Sequence, residues 1–167
     1  QPIQKIAKIC HKNQIIFHTD AVQAVGKITV DVKELDIDLL SISSHKLHGP
    51  KGIGALYIKD GVKINPMILG GGQEFRLRSG TENVANIVGF GQACEIAQNH
   101  LTENTALINK LQSQLVKKIL VEIPEVTFNG HEEYRLCNNA HFTFLGVNGE
   151  DLIIKLDEYG IAASTGS

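Results

Sequence analysis

The sequence predicts an α/β fold followed by a smaller α+β unit. Three observations carry that expectation. Short apolar runs with polar tips alternate with helical stretches over residues 1–99, a long amphipathic helix follows a polar stretch at 99–105, and two strand-like segments and a helix come after Pro124.

Taken in order, Ile3, Ile6, Ala7 and Cys10 recur at helical spacing within 3–13, and the helix is expected to end near Asn13. Ile15–His18 reads as a strand broken by Thr19-Asp20. Residues 31–38 read as a short helix or loop, and LLSISS at 39–44 as a buried strand. HKLHGPKG is a turn by its Gly-Pro and Lys-Gly steps, GALYIKD a strand, and KINPMILGGGQEF a Gly-rich loop. Ser79, three residues before Glu82, has the form of a capping box, which predicts a helix from there through Ala97.

The polar stretch 99–105 is the expected boundary between a unit at 1–99 and one at 100–167. Leu107, Leu111, Leu115 and Ile119, spaced by four, predict an amphipathic helix that Pro124 must close. VTFNG and AHFTFLGV predict two strands, GEDLIIKLDEYG a helix with Gly160 at its C-terminal cap, and IAAST a last strand.

Composition bounds the function. With 167 residues, 43% hydrophobic and 20% charged, the chain has ample apolar material for a core and too little charge bias for disorder. Sixteen basic against 18 acidic residues leave a formal charge of -2, which is no footprint for nucleic acid. No apolar run approaches the ~18 residues a membrane span needs, and the amino end has no signal-peptide pattern; a soluble, cytoplasmic protein is expected. Cys10, Cys94 and Cys137 are odd in number and widely spaced, so they read as buried or free thiols in a reducing setting. The chain begins at Gln1, has one methionine, Met67, and stops at Ser167 inside a strand-like segment. A fragment is expected, with parts of any active site missing.

Several common motifs are absent. HGPKGIGAL does not fit a Walker A loop, and Gly52-Ile-Gly54 and Gly89-Phe-Gly91 lack the third glycine of a dinucleotide fingerprint. His45 and His48, with His18 elsewhere, make a histidine metal site conceivable, but there is neither an H-E-x-x-H helix nor a thiolate pair, and no metal is predicted. No G-x-S-x-G elbow occurs.

What remains is HTDAVQ at 18–23 and SISSHK at 41–46, each at the carboxyl end of a predicted strand, where ligands of open α/β sheets bind. Pyridoxal phosphate requires a lysine for its aldehyde, a carboxylate beside its pyridinium nitrogen, and donors for its phosphate and ring oxygen. Lys46 can serve as the amine, Asp20 as the carboxylate that keeps the ring nitrogen protonated, Ser43 and His45 as phosphate donors, and Gln23 as donor to the ring oxygen. Each has a structural alternative. Asp20 and Thr81 can be helix caps, Lys46 a solvated turn residue, Ser43 a plain strand residue, His45 a neighbour packed on Pro50, and Gln23 helix surface.

Read together, FHTDAVQAVGK, SISSHKLHGPKGIGALY, GGGQEFRLRSGTEN and GIAASTGS resemble the motifs of cysteine desulfurases of the NifS/IscS type, in the class V aminotransferase group of fold-type I pyridoxal phosphate enzymes. The resemblance covers essentially the whole chain. It implies that residues 1–99 are the later half of a cofactor-binding large domain of the aspartate aminotransferase kind, and that 100–167 are most of a small C-terminal domain. It further implies that Lys46 holds the cofactor as a Schiff base, Asp20 pairs with the pyridine nitrogen, Gln23 contacts the ring oxygen, and Ser43 and His45 hold the phosphate. Thr81 would reach the phosphate of the partner subunit, which implies a homodimer.

The implied reaction takes sulfur from L-cysteine, giving L-alanine and an enzyme persulfide. Sulfur would then pass to an iron–sulfur scaffold or a tRNA-thiolation partner. The sequence departs from the family in stopping before the persulfide cysteine, and it also lacks the amino-terminal portion. Cys10, Cys94 and Cys137 match no catalytic position and are expected to be structural, and Arg76 stands where members often have a small residue. The fragment alone is expected to be inactive. The alternatives are a selenocysteine lyase or other class V enzyme, and a non-catalytic scaffold module.

Overall fold

The computed structural model describes residues 1–165. They form two compact units, Gln1–Leu107 and the part from Ile108 onward.

The first unit opens with helix α1 (Ile3–Lys12), started by Pro2, whose ring presets a helix-compatible φ. It ends at Asn13, and Gln14 then takes a φ of +59° while Ile15 N–H bonds back to Cys10 O at 2.9 Å. This reversal leaves Ile15 and Ile16 exposed. Strand β1 is therefore His18–Asp20 and not the expected Ile15–His18, because ladder pairing begins only where His18 meets Leu39. Strand β2 (Leu39–Ser43) lies parallel to β1 and antiparallel to β3 (Gly54–Ile58), giving the sheet order β1-β2-β3.

The β1–β2 connection, residues 21–38, is a succession of turns folded over the sheet. It brings Ala21 and Ile37 onto Leu40, with Phe17, Val25 and Val32 packed around them. Helix α2 (Val84–Asn99) covers the neighbouring region, where Phe90 and Ala93 pack on Leu47. Val25 and Ile42 touch both clusters and join them into one core. Burying side chains of this size contributes ~1.5–3 kcal/mol each.

α2 does not begin as the sequence suggests. Ser79 is buried and donates its hydroxyl to Gly71 O at 2.9 Å, so it closes the Gly-rich loop and makes no cap. Asn83 caps the helix instead, accepting from Asn86 N–H at 3.4 Å, and the first helical residue is Val84. Upstream, Glu74, Phe75 and Arg76 run consecutively at φ +48°, +56° and +66°, the left-handed region that disfavours side chains.

A charged clasp ties α1 to the sheet. His11 Nδ1 meets Asp36 Oδ2 and its Nε2 meets Asp38 Oδ2, both at 2.8 Å, while Lys59 Nζ lies 2.7 Å from Asp36 Oδ1. With a carboxylate on each ring nitrogen, the imidazole is favoured in its doubly protonated form. The hydrogen bond to Asp38, followed by that to Asp36, raises the His11 pKa against the opposing effect of burial. Burial pushes the Asp38 carboxyl up, but the Phe17 N–H bond and the bond and charge of His11 outweigh it and leave the pKa lowered.

α3 (Leu101–Glu122) starts directly after His100, so the polar stretch 99–105 is helical on both sides of that residue, and the two units divide after Leu107, inside the helix. Leu107, Leu111 and Leu115 lie about half exposed, a stripe that the described residues do not cover. In the second unit, β4 (Val126–Phe128) pairs antiparallel with β5 (Phe142–Phe144). Phe128 stacks 5.2 Å from Phe142 on one side and carries the Arg135 guanidinium 3.7 Å from its ring centre.

α4 (Gly149–Glu158) is capped by Asn148, which accepts from Glu150 and Asp151 N–H, and it closes at Gly160, whose φ is +72°. The expected strand IAAST is irregular: residues 161–165 have no ladder partner among the described residues, and an extended segment without one is not a strand. The last two residues of that motif, Gly166 and Ser167, lie outside the described residues.

Candidate active site

Parallel pairing sends the carboxyl ends of β1 and β2 to the same edge of the sheet. Asp20 stands level with Ser41, and Ser43 lies two residues further along β2, about 7 Å at the rise of a strand. There the chain turns into a one-turn helix, Ser44–Leu47, that carries His45 and Lys46. His48 ends it at φ +61°, with Gly49 N–H bonded to Ser44 O at 3.1 Å. The turn is pinned at its base, where Ser44 N–H reaches Ile53 O at 3.1 Å, and from beneath by Leu47.

Asp20 is exposed, and its Oδ1 accepts from Val22 N–H at 2.8 Å. One carboxylate oxygen therefore holds the turn after β1, and the other has no partner among the described residues. Residues 22–24 are a turn and Val25 makes an isolated bridge to Ile28, so neither a helix cap at Asp20 nor helix surface at Gln23 describes them. The Ser43 hydroxyl lies 2.7 Å from His45 Nδ1. If Ser43 donates, the ring proton sits on Nε2, which is then the donor left to a ligand. If Nδ1 carries the proton and donates, the Ser43 O–H is left instead, so the pair offers an anion a donor in either tautomer.

The Lys46 side chain is half-buried and makes no hydrogen bond or ion pair among the described residues. A half-buried, unpaired lysine on the turn at the sheet edge that also carries an uncommitted carboxylate oxygen and a Ser–His donor pair fits a ligand with an aldehyde, a basic ring nitrogen and a phosphate. Gln23 is exposed on the turn after β1, and Thr81 is exposed just ahead of Asn83 and caps nothing. Neither is hydrogen-bonded to the group formed by Asp20, Ser43, His45 and Lys46.

Sequence reasoning weighs His18 only as a conceivable metal ligand and gives Lys27 no role; in the structure His18 Nε2 lies 2.8 Å from Ser41 Oγ across the two strands, and the Lys27 ammonium reaches Lys46 O. The signal for His18 lies within the motif, two residues before Asp20. Lys27 closes the same motif, but its contact with Lys46 O depends on how the turns fold and so is not announced by its position. Burial raises the Cys94 thiol, which makes it a poor thiolate, and Cys137 is buried. A cavity of about 280 Å³ opens in the Gly-rich loop between Gly70, Gly71, Arg76 and Ser79, and none of the predicted site residues lines it.

The sequence matches the family Aminotransferase class-V across residues 1–167. It is 50% identical to the cysteine desulfurase IscS of Clostridium botulinum over 169 positions, covering 100% of this chain and 43% of that protein. Against the cysteine desulfurase IscS of Methanosarcina thermophila the identity is 52%, over 100% of this chain and 41% of that protein. Among solved structures, the NifS-like protein of Rickettsia africae superposes with a TM-score of 0.93 at 38% identity, over 100% of this chain and 46% of that one. The cysteine desulfurase CsdA of Escherichia coli does so with 0.82 at 28% identity, over 97% and 44%. The chain thus spans under half the length of these relatives.

Class V aminotransferases and cysteine desulfurases are pyridoxal phosphate-dependent, and the mixed α/β architecture is that of their NifS-like members. With a family match running from the first residue to the last, this chain belongs to the class V aminotransferase family.

Proposed function

We propose that this chain is the lysine-bearing part of a pyridoxal phosphate-dependent cysteine desulfurase, with residues 1–99 in its cofactor domain and 100–167 in its small domain. One observation carries the reading: parallel pairing of β1 and β2 brings Asp20 and the Ser43–Lys46 turn to one sheet edge, with the Lys46 ammonium unpaired among the described residues. The overall reaction is L-cysteine plus an enzyme thiol giving L-alanine plus an enzyme persulfide. The cofactor, when bound, supplies an electron sink for the substrate carbon.

The protein's own residues do the rest. The free oxygen of Asp20 holds a proton on the ring nitrogen, and Gln23 donates to the ring oxygen. Ser43 and His45 together grip the phosphate, and a Thr81 from the partner subunit completes that grip in a homodimer. Lys46 supplies the amine that anchors the aldehyde and afterwards carries a proton to and from the substrate. The persulfide is assigned to a cysteine of the full-length protein outside this chain, since Cys10, Cys94 and Cys137 all lie outside the four motifs, and Cys94 is poorly ionised and Cys137 buried besides. The sulfur acceptor is an iron–sulfur scaffold or tRNA-thiolation protein, and the site of action is the cytoplasm. No helix among the described residues is long and apolar enough to cross a membrane.

Borohydride reduction of the full-length protein with its cofactor, followed by peptide mapping, is expected to mark Lys46. A label on any other lysine overturns the assignment.

A further inference from the structure

The two ends of the candidate site are joined by a segment outside it. After Asp20 the chain turns tightly, with Ala24 and Val25 N–H both bonded to Ala21 O, and then reaches Gly26 and Lys27. These two residues meet the lysine turn at consecutive positions. The Lys27 ammonium donates to Lys46 O at 3.2 Å, in a partly buried setting. Gly26, at φ +76°, presses so close that a Cβ there would lie 2.6 Å from Leu47 Cδ2.

The backbone of Lys27 is held in turn by Thr105, whose hydroxyl donates to Lys27 O at 3.2 Å. Lys46 O stands at the C-terminal end of a one-turn helix, where carbonyls lack helical partners and a charged donor binds them well. A short run of turns therefore starts at the carboxylate and ends on the backbone of the lysine.

We propose that Gly26-Lys27 is a brace that sets the separation of Asp20 from Lys46, with Lys27 a positioning residue for the cofactor. The proposal rests on the roles given to Asp20 and Lys46 above. A pyridoxal ring is rigid and is gripped at its nitrogen and at the aldehyde carbon opposite, so the two protein groups must match a fixed length. A misplacement of ~1 Å costs on the order of a hundredfold in rate. Lys27 acts through the backbone of Lys46, and Gly26 through the packing of Leu47.

The test uses the full-length protein and three variants, Lys27→Met, Lys27→Arg and Gly26→Ala. In the cofactor-free protein, amide hydrogen exchange is followed at His48 and Gly49, which close the lysine turn. In the loaded protein, the rate of cofactor release is measured together with kcat and KM for L-cysteine. Lys27→Met is expected to speed exchange at both amides and cofactor release, and to lower kcat, each by about tenfold, with KM within about twofold. Lys27→Arg is expected to restore all three. Gly26→Ala, which keeps the Lys27 charge but strains a left-handed backbone position and drives a methyl onto Leu47, is expected to speed the same exchange.

Unchanged exchange and cofactor release in Lys27→Met overturn the brace, as does a loss that arginine does not rescue. If Lys27→Met fails to fold, unchanged exchange in Gly26→Ala overturns it alone. Failure of the unvaried protein to take a borohydride label at Lys46 overturns the reading of the site, while exchange in the cofactor-free variants still decides whether the brace exists.

Discussion

Ser44 is fully buried, and its hydroxyl has no hydrogen-bond partner among the described residues. The wall on the Gly49 side is close, since a Cβ on that glycine would overlap Ser44 Oγ and lie 2.9 Å from Ala93 Cβ. An unsatisfied buried hydroxyl costs ~1–3 kcal/mol, so Ser44→Ala, which removes it at the expense of one small void, is expected to stabilise the protein by about 1 kcal/mol. Gly49→Ala drives a methyl into the same spot and is expected to destabilise by ~1–3 kcal/mol. In Ser44→Ala/Gly49→Ala the nearest clash is gone and the contacts with Ala93 Cβ and Ser44 O remain, so the pair should be about 1 kcal/mol more stable than the sum of the single changes.

Urea unfolding of the cofactor-free full-length protein, followed by far-ultraviolet circular dichroism, measures all three. A 1 kcal/mol change corresponds to roughly 2–4 °C in melting temperature for a domain of ~150–250 residues. A Ser44→Ala variant destabilised by more than ~1 kcal/mol would mean that the hydroxyl has a partner, and the reasoning from its isolation would fail.

The clasp predicts a pH dependence. His11 is raised from 6.5, so its contribution is complete below about that pH and is lost as pH rises through its folded value. Asp36 and Asp38 are lowered from 3.8, so theirs is present above about that pH and is lost as pH falls through their folded values. Unfolding free energy measured against pH should therefore lose its downward slope above 6.5 in a His11→Gln variant, and retention of that slope would assign it to another group. Leu40→Ala, at a core position 4% exposed, is expected to destabilise by ~2–5 kcal/mol in the same urea assay. Asp20→Asn in the full-length protein is expected to lower kcat for L-cysteine more than it weakens cofactor binding, because the ring nitrogen loses its proton while the other contacts remain; an equal loss in both speaks for a mere binding role.

Much of the fold is legible from local pattern. Helix α1 and strands β2 and β3 follow from periodicity and turn residues, and α3 stops where Pro124 requires. Three features are not, and each depends on distant partners. The start of β1 is set by where Leu39 comes alongside, the cap of α2 passes to Asn83 because Gly71 claims the Ser79 hydroxyl, and IAAST meets no partner strand.

In the candidate site, Asp20, Ser43, His45 and Lys46 are nameable in advance because each stands in a short motif at or just past a strand end; parallel pairing brings those ends to one edge, and the turn Ser44–Leu47 then sets where His45 and Lys46 stand. The clasp is invisible beforehand, since His11 is separated from Asp36 by 25 residues and meets it only through folding of the turns between. Lys27 escapes notice for the same reason, being separated from Lys46 by 19 residues.

The three successive left-handed residues Glu74, Phe75 and Arg76 have a consequence for how the chain is cut. Such a conformation costs roughly 1–2 kcal/mol per residue, so this stretch opens more readily than the strands around it. Phe75 is 93% exposed and is followed at once by arginine, which offers both an aromatic and a basic cleavage site at the tip of the loop. Brief digestion with chymotrypsin or trypsin should nick here first, parting a piece with Asp20, Ser43, His45 and Lys46 from a piece that starts just before Thr81. In the homodimer proposed above, a partner subunit seated on Thr81 shields that nick, and the rate of cutting then becomes a gauge of subunit association that needs neither cofactor nor substrate.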